Sequence, residues 1–84
     1  MKAPDAMVEP GSIEDSIRGA MAVTHVEVRG DGAHFEAVIV SPQFAGLTRV
    51  AQHQLVYQAL GDRMRSEIHA LSMRTYSPDE WAAR

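Results

Sequence analysis

The chain contains no cysteine among its 84 residues, which rules out disulfides, thiolate nucleophiles and any all-thiolate zinc or iron-sulfur site built from this chain alone. A metal bound here would have to be held by histidine. There is also no apolar run of about eighteen residues and no charged-then-apolar leader, so no membrane association is expected and the cytoplasm is the expected compartment. Basic residues are in the minority. Eight Lys and Arg stand against eleven Asp and Glu, a formal charge of -3, so the summed field does not favour a polyanion and a nucleic acid would need a local basic patch. No serine stands in a nucleophile elbow, no paired carboxylates flank a plausible cleft and no phosphate loop is present. No catalytic residue is therefore assigned, and the chain is not read as an enzyme.

What is present suits one domain with a modest core, a size at which roughly 60 to 65 percent of the unfolded surface is buried. "MKAPDAMVEPG" carries two prolines and scattered charge without a period, so residues 1–11 read as a mobile tail and 12–84 as the domain. "SIED" predicts a capping box with Ser12 as the cap, opening a helix with Ile13, Ile17, Ala20 and Met21 on one face. "VTHVEVRGDGAHFEAVIVS" is two β-branched runs about a glycine-flanked turn, the pattern of a hairpin, with Thr24, Val26 and Val28 sharing one side of the first strand, Phe35, Ala37 and Ile39 one side of the second, and His34, Glu36, Val38 and Val40 its other side.

"SPQFAG" breaks the sheet at Pro42 and Gly46. From Thr48 to about Leu60 the spacing predicts an amphipathic helix with Val50, Val56, Tyr57 and Leu60 on its apolar arc, followed after Gly61 and Asp62 by a short helical turn through Met64. A third strand is expected over Ile68 to Tyr76. Ser77, Pro78 and Glu80 then predict a capped last helix carrying Trp81. A strand that leaves through helices and returns usually pairs in parallel. The expected class is α+β, a three-stranded mixed sheet with helices mainly on one face.

The runs "GDGAHF", "VSPQFAGLTRVAQHQLVYQAL" and "IHALSMRTYSPDEW" together closely resemble the BolA family, and among bacterial members its IbaG branch. The resemblance covers roughly Ser12 to Trp81. It rests on F-x-G at Phe44 and Gly46, H-x-x-V-Y at His53 to Tyr57, I-H-A-L at Ile68 to Leu71 and the closing T-Y-x-P-x-E-W, all in order and at family spacing. The resemblance implies an αββααβα fold of the class II KH-like kind. It also implies a partner, a monothiol glutaredoxin that shares a glutathione-ligated [2Fe-2S] cluster with the BolA-like protein, and a record of transcription regulation on DNA. By the same resemblance His69 is the recurrent cluster ligand, and His34 stands where the family carries a second histidine or cysteine. Phe44, Gly46, Val56, Tyr57 and Trp81 are expected to serve fold and packing.

Ligand chemistry is compatible with that implication. A [2Fe-2S] cluster takes two ligands on each iron, and imidazoles can replace thiolates on one of them. This chain supplies imidazole only, so the thiolates would come from the partner and from glutathione, and glycines at Gly30 and Gly32 would let the His34 loop move toward the cluster. Each histidine also has a structural alternative. From the residues alone His69 reads as a half-buried residue bonded to a backbone carbonyl, a reading that the family resemblance reverses, and His34 reads equally as a solvated strand residue beside Glu36. His53 falls inside the apolar arc, which favours packing, and His25 is assigned no role.

The alternative function is DNA binding through a helix-turn-helix-like middle segment, with Arg49, His53, Arg63 and Arg65 as candidate contacts and Arg74 extending the stripe. Many family members read Arg-His-Arg where this chain has Gln52, His53 and Gln54, and no G-x-x-G clamp is evident. By itself the chain is expected to be a monomer or weak homodimer.

Overall fold

The computed structural model describes residues 8–84. Helix α1 (Pro10–Ala20) starts before the expected cap: Glu9 is the N-cap, without a side-chain cap bond, and Pro10 occupies the first turn, where its fixed φ and missing N–H cost nothing. Ser12 does not cap. Its hydroxyl accepts instead from Nη2 of Arg63 at 2.6 Å, far along the chain. The expected tail is thus shortened at its inner end, and its positions 1–7 lie outside the described residues. Ile13 and Ile17 are fully buried, as their spacing predicts.

Strands β1 (His25–Gly30) and β2 (His34–Val40) form the hairpin, and β3 (Ala70–Tyr76) lies parallel to β2 in the order β1-β2-β3. The mixed sheet is as expected. Alternation along the strands sends Val26, Val28, Phe35, Ala37 and Ile39 into one core with Ile13, Ile17, Phe44, Val56, Leu60 and Ile68. The loop of the hairpin is tight. Gly32 has φ 99°, and a Cβ on Gly30 would overlap the Phe35 ring and the His34 carbonyl, so the turn itself requires glycine at both positions.

A 3-10 turn (Pro42–Phe44), α2 (Arg49–Leu60) and α3 (Arg63–Ser66) connect β2 to β3. Thr48 caps α2, its hydroxyl accepting from the Ala51 N–H at 3.1 Å, and Gly61 at φ 58° ends it. The buried face of α2 differs from the expected arc. Gln52, Val56 and Leu60 are inside, whereas Val50 is 67% and Tyr57 42% exposed. The cause is polar: Nε2 of Gln52 donates to the carbonyls of Phe44 and Leu47, both at 3.1 Å, and its Oε1 accepts from the Thr75 hydroxyl. Those bonds fix the helix rotation with Gln52 inward. α3 extends past Met64 to Ser66, and β3 begins at Ala70 rather than Ile68.

The last helix, α4 (Pro78–Ala83), opens on the expected capping box: Ser77 Oγ accepts from the Glu80 N–H and Glu80 Oε1 from the Ser77 N–H. It carries Trp81 to the sheet face opposite α1 and α2. There the indole stacks on His25 at 5.0 Å between ring centroids and meets Tyr76 at 5.2 Å, with the Arg84 guanidinium over the Trp81 ring. His25, assigned no role from its polar neighbours, is half of this platform.

Candidate functional site

His34 is the first residue of β2, and its position is set by Asp31. The Asp31 carboxylate accepts the N–H groups of Ala33 and His34, each at 3.0 Å, closing the hairpin turn in three residues. The His34 and Ala33 amides hold the Asp31 carboxyl below its ordinary pKa. The imidazole of His34 belongs to the outer face of the sheet, with Glu36 and Val38, and the residue is exposed.

His69 sits in a bend immediately before β3, also exposed. Ile68, 2% exposed, anchors it from one side in the core, and its N–H reaches the Arg63 carbonyl at 2.8 Å. Ala70 anchors it from the other side by pairing with His34. His69 therefore stands one residue before the register partner of His34, and the two candidate ligands lie at the same end of the sheet. That offset corresponds to roughly 6 Å between their Cα atoms, given strands about 4.8 Å apart and about 3.3 Å per residue. Beside His34 an open groove runs between Arg29, Asp31, Glu36, Ala70 and Ser72. Among the described residues no three His, Asp or Glu side chains converge in a way that would hold a metal. The backbones of the two residues are neighbours and both residues are exposed, but a one-residue offset turns successive side chains toward opposite faces, and the groove is lined by His34 without His69; each imidazole is open to a centre whose remaining donors come from another molecule.

The residues of the alternative site are dispersed. Arg63 is turned inward: Nη1 donates to the Ser12 carbonyl at 3.0 Å and the Ser16 hydroxyl at 2.7 Å, Nη2 to the Ser12 hydroxyl, and Nε to Glu67. That guanidinium clamps α3 to α1, leaving it few donors for a phosphate. Arg65 is exposed, 3.8 Å from Asp62 in a solvated pair. Arg49 opens α2 and lies about 16 Å along the helix axis from its far end, beyond which Arg65 sits. Arg74 is on the outer sheet face. His53 is half-buried, with a buried Nε2 that has no partner, and burial followed by the nearby Arg49 charge lowers its pKa. It therefore favours the uncharged form.

Gln52, read from sequence as a lost cation, is buried and fully bonded, so position 52 faces the core rather than a polyanion. Sequence offered no direct signal for this role, because a glutamine on a helix is ordinarily solvated. Glu14 has a long-range role of the same kind: its Oε2 accepts the Val28 N–H at 2.9 Å, on the free edge of β1. Among the described residues no helix is long and apolar enough to cross a membrane.

A family model described as BolA-like protein matches residues 12–80. The chain is 47% identical over 57 residues to a Vibrio cholerae protein named DNA-binding transcriptional regulator BolA, a match spanning 68% of this chain and 54% of that one. It is 37% identical to the Escherichia coli acid stress protein IbaG, over 89% of this chain and 90% of the relative. A solved structure of a bolA protein homologue from Coxiella burnetii superposes with a TM-score of 0.81 at 46% identity, covering 90% of this chain and 99% of that one. The Vibrio cholerae relative is thus named as a regulator and the Escherichia coli relative as a stress protein.

Proposed function

Since the chain belongs to the BolA family, we propose that it is an adaptor that docks on a monothiol glutaredoxin and helps ligate a [2Fe-2S] cluster shared with that partner and glutathione, in iron-sulfur trafficking or iron and stress regulation. The observation that carries this reading is the placement of His34 at the start of β2 and His69 just before β3, both exposed at one end of the sheet, in a chain without cysteine. When bound, the cluster would supply a transferable, redox-active iron centre. His69 would contribute a ring nitrogen from a bend fixed by buried Ile68 and paired Ala70. His34 would contribute a second from a turn held by Asp31. Fixing the backbone on both sides lowers the entropy lost when either imidazole is captured.

The test is anaerobic reconstitution of the chain with a monothiol glutaredoxin and glutathione, followed by size-exclusion chromatography and visible absorption and circular dichroism. A coloured heteromeric complex is expected. His69→Ala should change the visible spectrum while the far-ultraviolet spectrum and association of the cluster-free proteins persist, and His34→Ala should change it less. An unchanged spectrum in the double variant would remove histidine from the ligand set.

DNA binding is the second reading, favoured by the name of the Vibrio cholerae relative. The exposed arginines Arg49 and Arg65 would be its phosphate contacts. A colourless, non-associating mixture together with a steep salt dependence of DNA affinity, which falls by about 0.9 in slope for each phosphate contact removed, would put this reading first.

A further inference from the structure

The two edges of the sheet are treated differently. On the free edge of β1, the Val28 N–H is taken by the Glu14 carboxylate of α1. Among the described residues, no backbone or side-chain hydrogen bond from outside the sheet reaches the main chain of 71–75 in β3. That strand, ALSMRTY, contains no proline, glycine or lysine to discourage pairing. Leu71 and Met73, on its core side, are only partly buried.

We propose that β3 pairs antiparallel with β3 of a second copy of this chain, centred on Met73, to give a continuous six-stranded sheet. The charge pattern of the outer face selects this register. Arg29, Glu36 and Ser72 form one row across the sheet, and Glu27, Val38 and Arg74 the next. Among the described residues neither Glu36 nor Arg74 has an ion-pair partner, whereas Arg29 and Arg65 do. Centring on Met73 sets Ser72 opposite Arg74 of the second copy. The small serine lets that guanidinium extend toward Glu36, two strand spacings or about 9.6 Å away at the backbone. The two-fold axis makes the pair twice. Centring on Arg74 would instead oppose two arginines, and centring on Ser72 would set Arg74 against Ala70 in the row of His34. On the core side Met73 registers with its own counterpart and Leu71 with Thr75, closing surface that each chain leaves open at Leu71 and Met73.

A single shared strand edge is a small interface, so the association is weak and concentration-dependent. Sedimentation velocity from about 10 μM to about 1 mM should show a reversible dimer. Ser72→Glu, facing Arg74 of the other copy, should tighten it by about threefold to thirtyfold, and Ser72→Lys should weaken it by a similar factor. Because the chain has no cysteine, Met73→Cys introduces a lone thiol on the two-fold axis and should give a covalent dimer under mild oxidation, while Ser72→Cys, which faces Arg74, should not. The Ser72 variants change an exposed side chain, so they report even if Met73→Cys folds poorly. A monomer throughout the range overturns the proposal and leaves the edge to an extended segment of some other protein. Equal association of the Glu and Lys variants, or cross-linking of Ser72→Cys as readily as Met73→Cys, overturns it too.

Discussion

Thr75 donates its hydroxyl to Oε1 of Gln52 at 2.6 Å, and both residues are buried. Through the two donors of its amide, the same glutamine holds the carbonyls of Phe44 and Leu47, so one side chain joins α2, the turn before it and β3. Gln52→Ala would strand a buried hydroxyl and leave the Phe44 and Leu47 carbonyls without this donor, and should destabilise the chain by about 2–4 kcal/mol. Thr75→Val, which keeps the shape, should cost about 1–2 kcal/mol. Urea unfolding of the two single variants and the double variant should return a positive coupling energy; additivity would remove the bond from the account.

Arg63 gives a second stability prediction. Its guanidinium bonds Ser12 and Ser16 of α1 and Glu67, with only 23% of the side chain exposed. Arg63→Lys keeps the charge but cannot reproduce the planar fork, and should lose about 1–2 kcal/mol. Hydrogen exchange of amides near Ile13 should accelerate in this variant. Arg65→Lys, on an exposed side chain, should leave both quantities unchanged within about 0.5 kcal/mol.

Trp81 is the only tryptophan, so intrinsic fluorescence reports α4 directly. Trp81→Ala uncovers His25 and Tyr76 and should lower stability by about 1–3 kcal/mol, a range set by the partial burial of the indole. Ser77→Ala, which breaks the capping box, should shift the wavelength of Trp81 emission to the red and cost about 1 kcal/mol. An unshifted spectrum would mean that stacking alone holds the helix.

Acid sensitivity should divide into two windows. The His53 pKa is lowered in the folded chain by burial and by Arg49, so as pH falls below 6.5 the unfolded chain takes up the proton first and stability drops. His53→Gln should flatten that part of the stability profile. Asp31 is also lowered, by the His34 and Ala33 amides, so its contribution is present above 3.8 and is lost as pH falls through the folded value. Asp31→Asn should lower stability uniformly above that window and remove the pH dependence of the lower window only. Urea midpoints from about pH 7.5 to about pH 3 separate the two.

Much of the fold was legible because local chemistry and burial agreed. Ser77, Pro78 and Glu80 state a helix start within three residues, and the alternation in "HFEAVIV" fixes which side chains of β2 go inside. Expectations failed where a distant partner captured a local signal. Ser12 had the spacing of a cap, but Arg63 took its hydroxyl and Pro10 moved the helix start. Val50 and Tyr57 had the hydrophobicity of core residues, but three hydrogen bonds at Gln52 rotated α2 the other way. His69 was read two positions into a strand that begins one residue after it.

From its sequence alone the chain was bound to an α+β domain of the BolA family without thiol chemistry, since composition, periodicity and ordered motifs are properties of single residues and their spacing. Only tertiary structure decided which polar groups meet. It set His34 and His69 at one end of neighbouring strands, turned Arg63 away from solvent and left one sheet edge bare. Such relations join positions distant in the chain, and a one-dimensional pattern carries no information about which distant partner a hydrogen-bonding group finds.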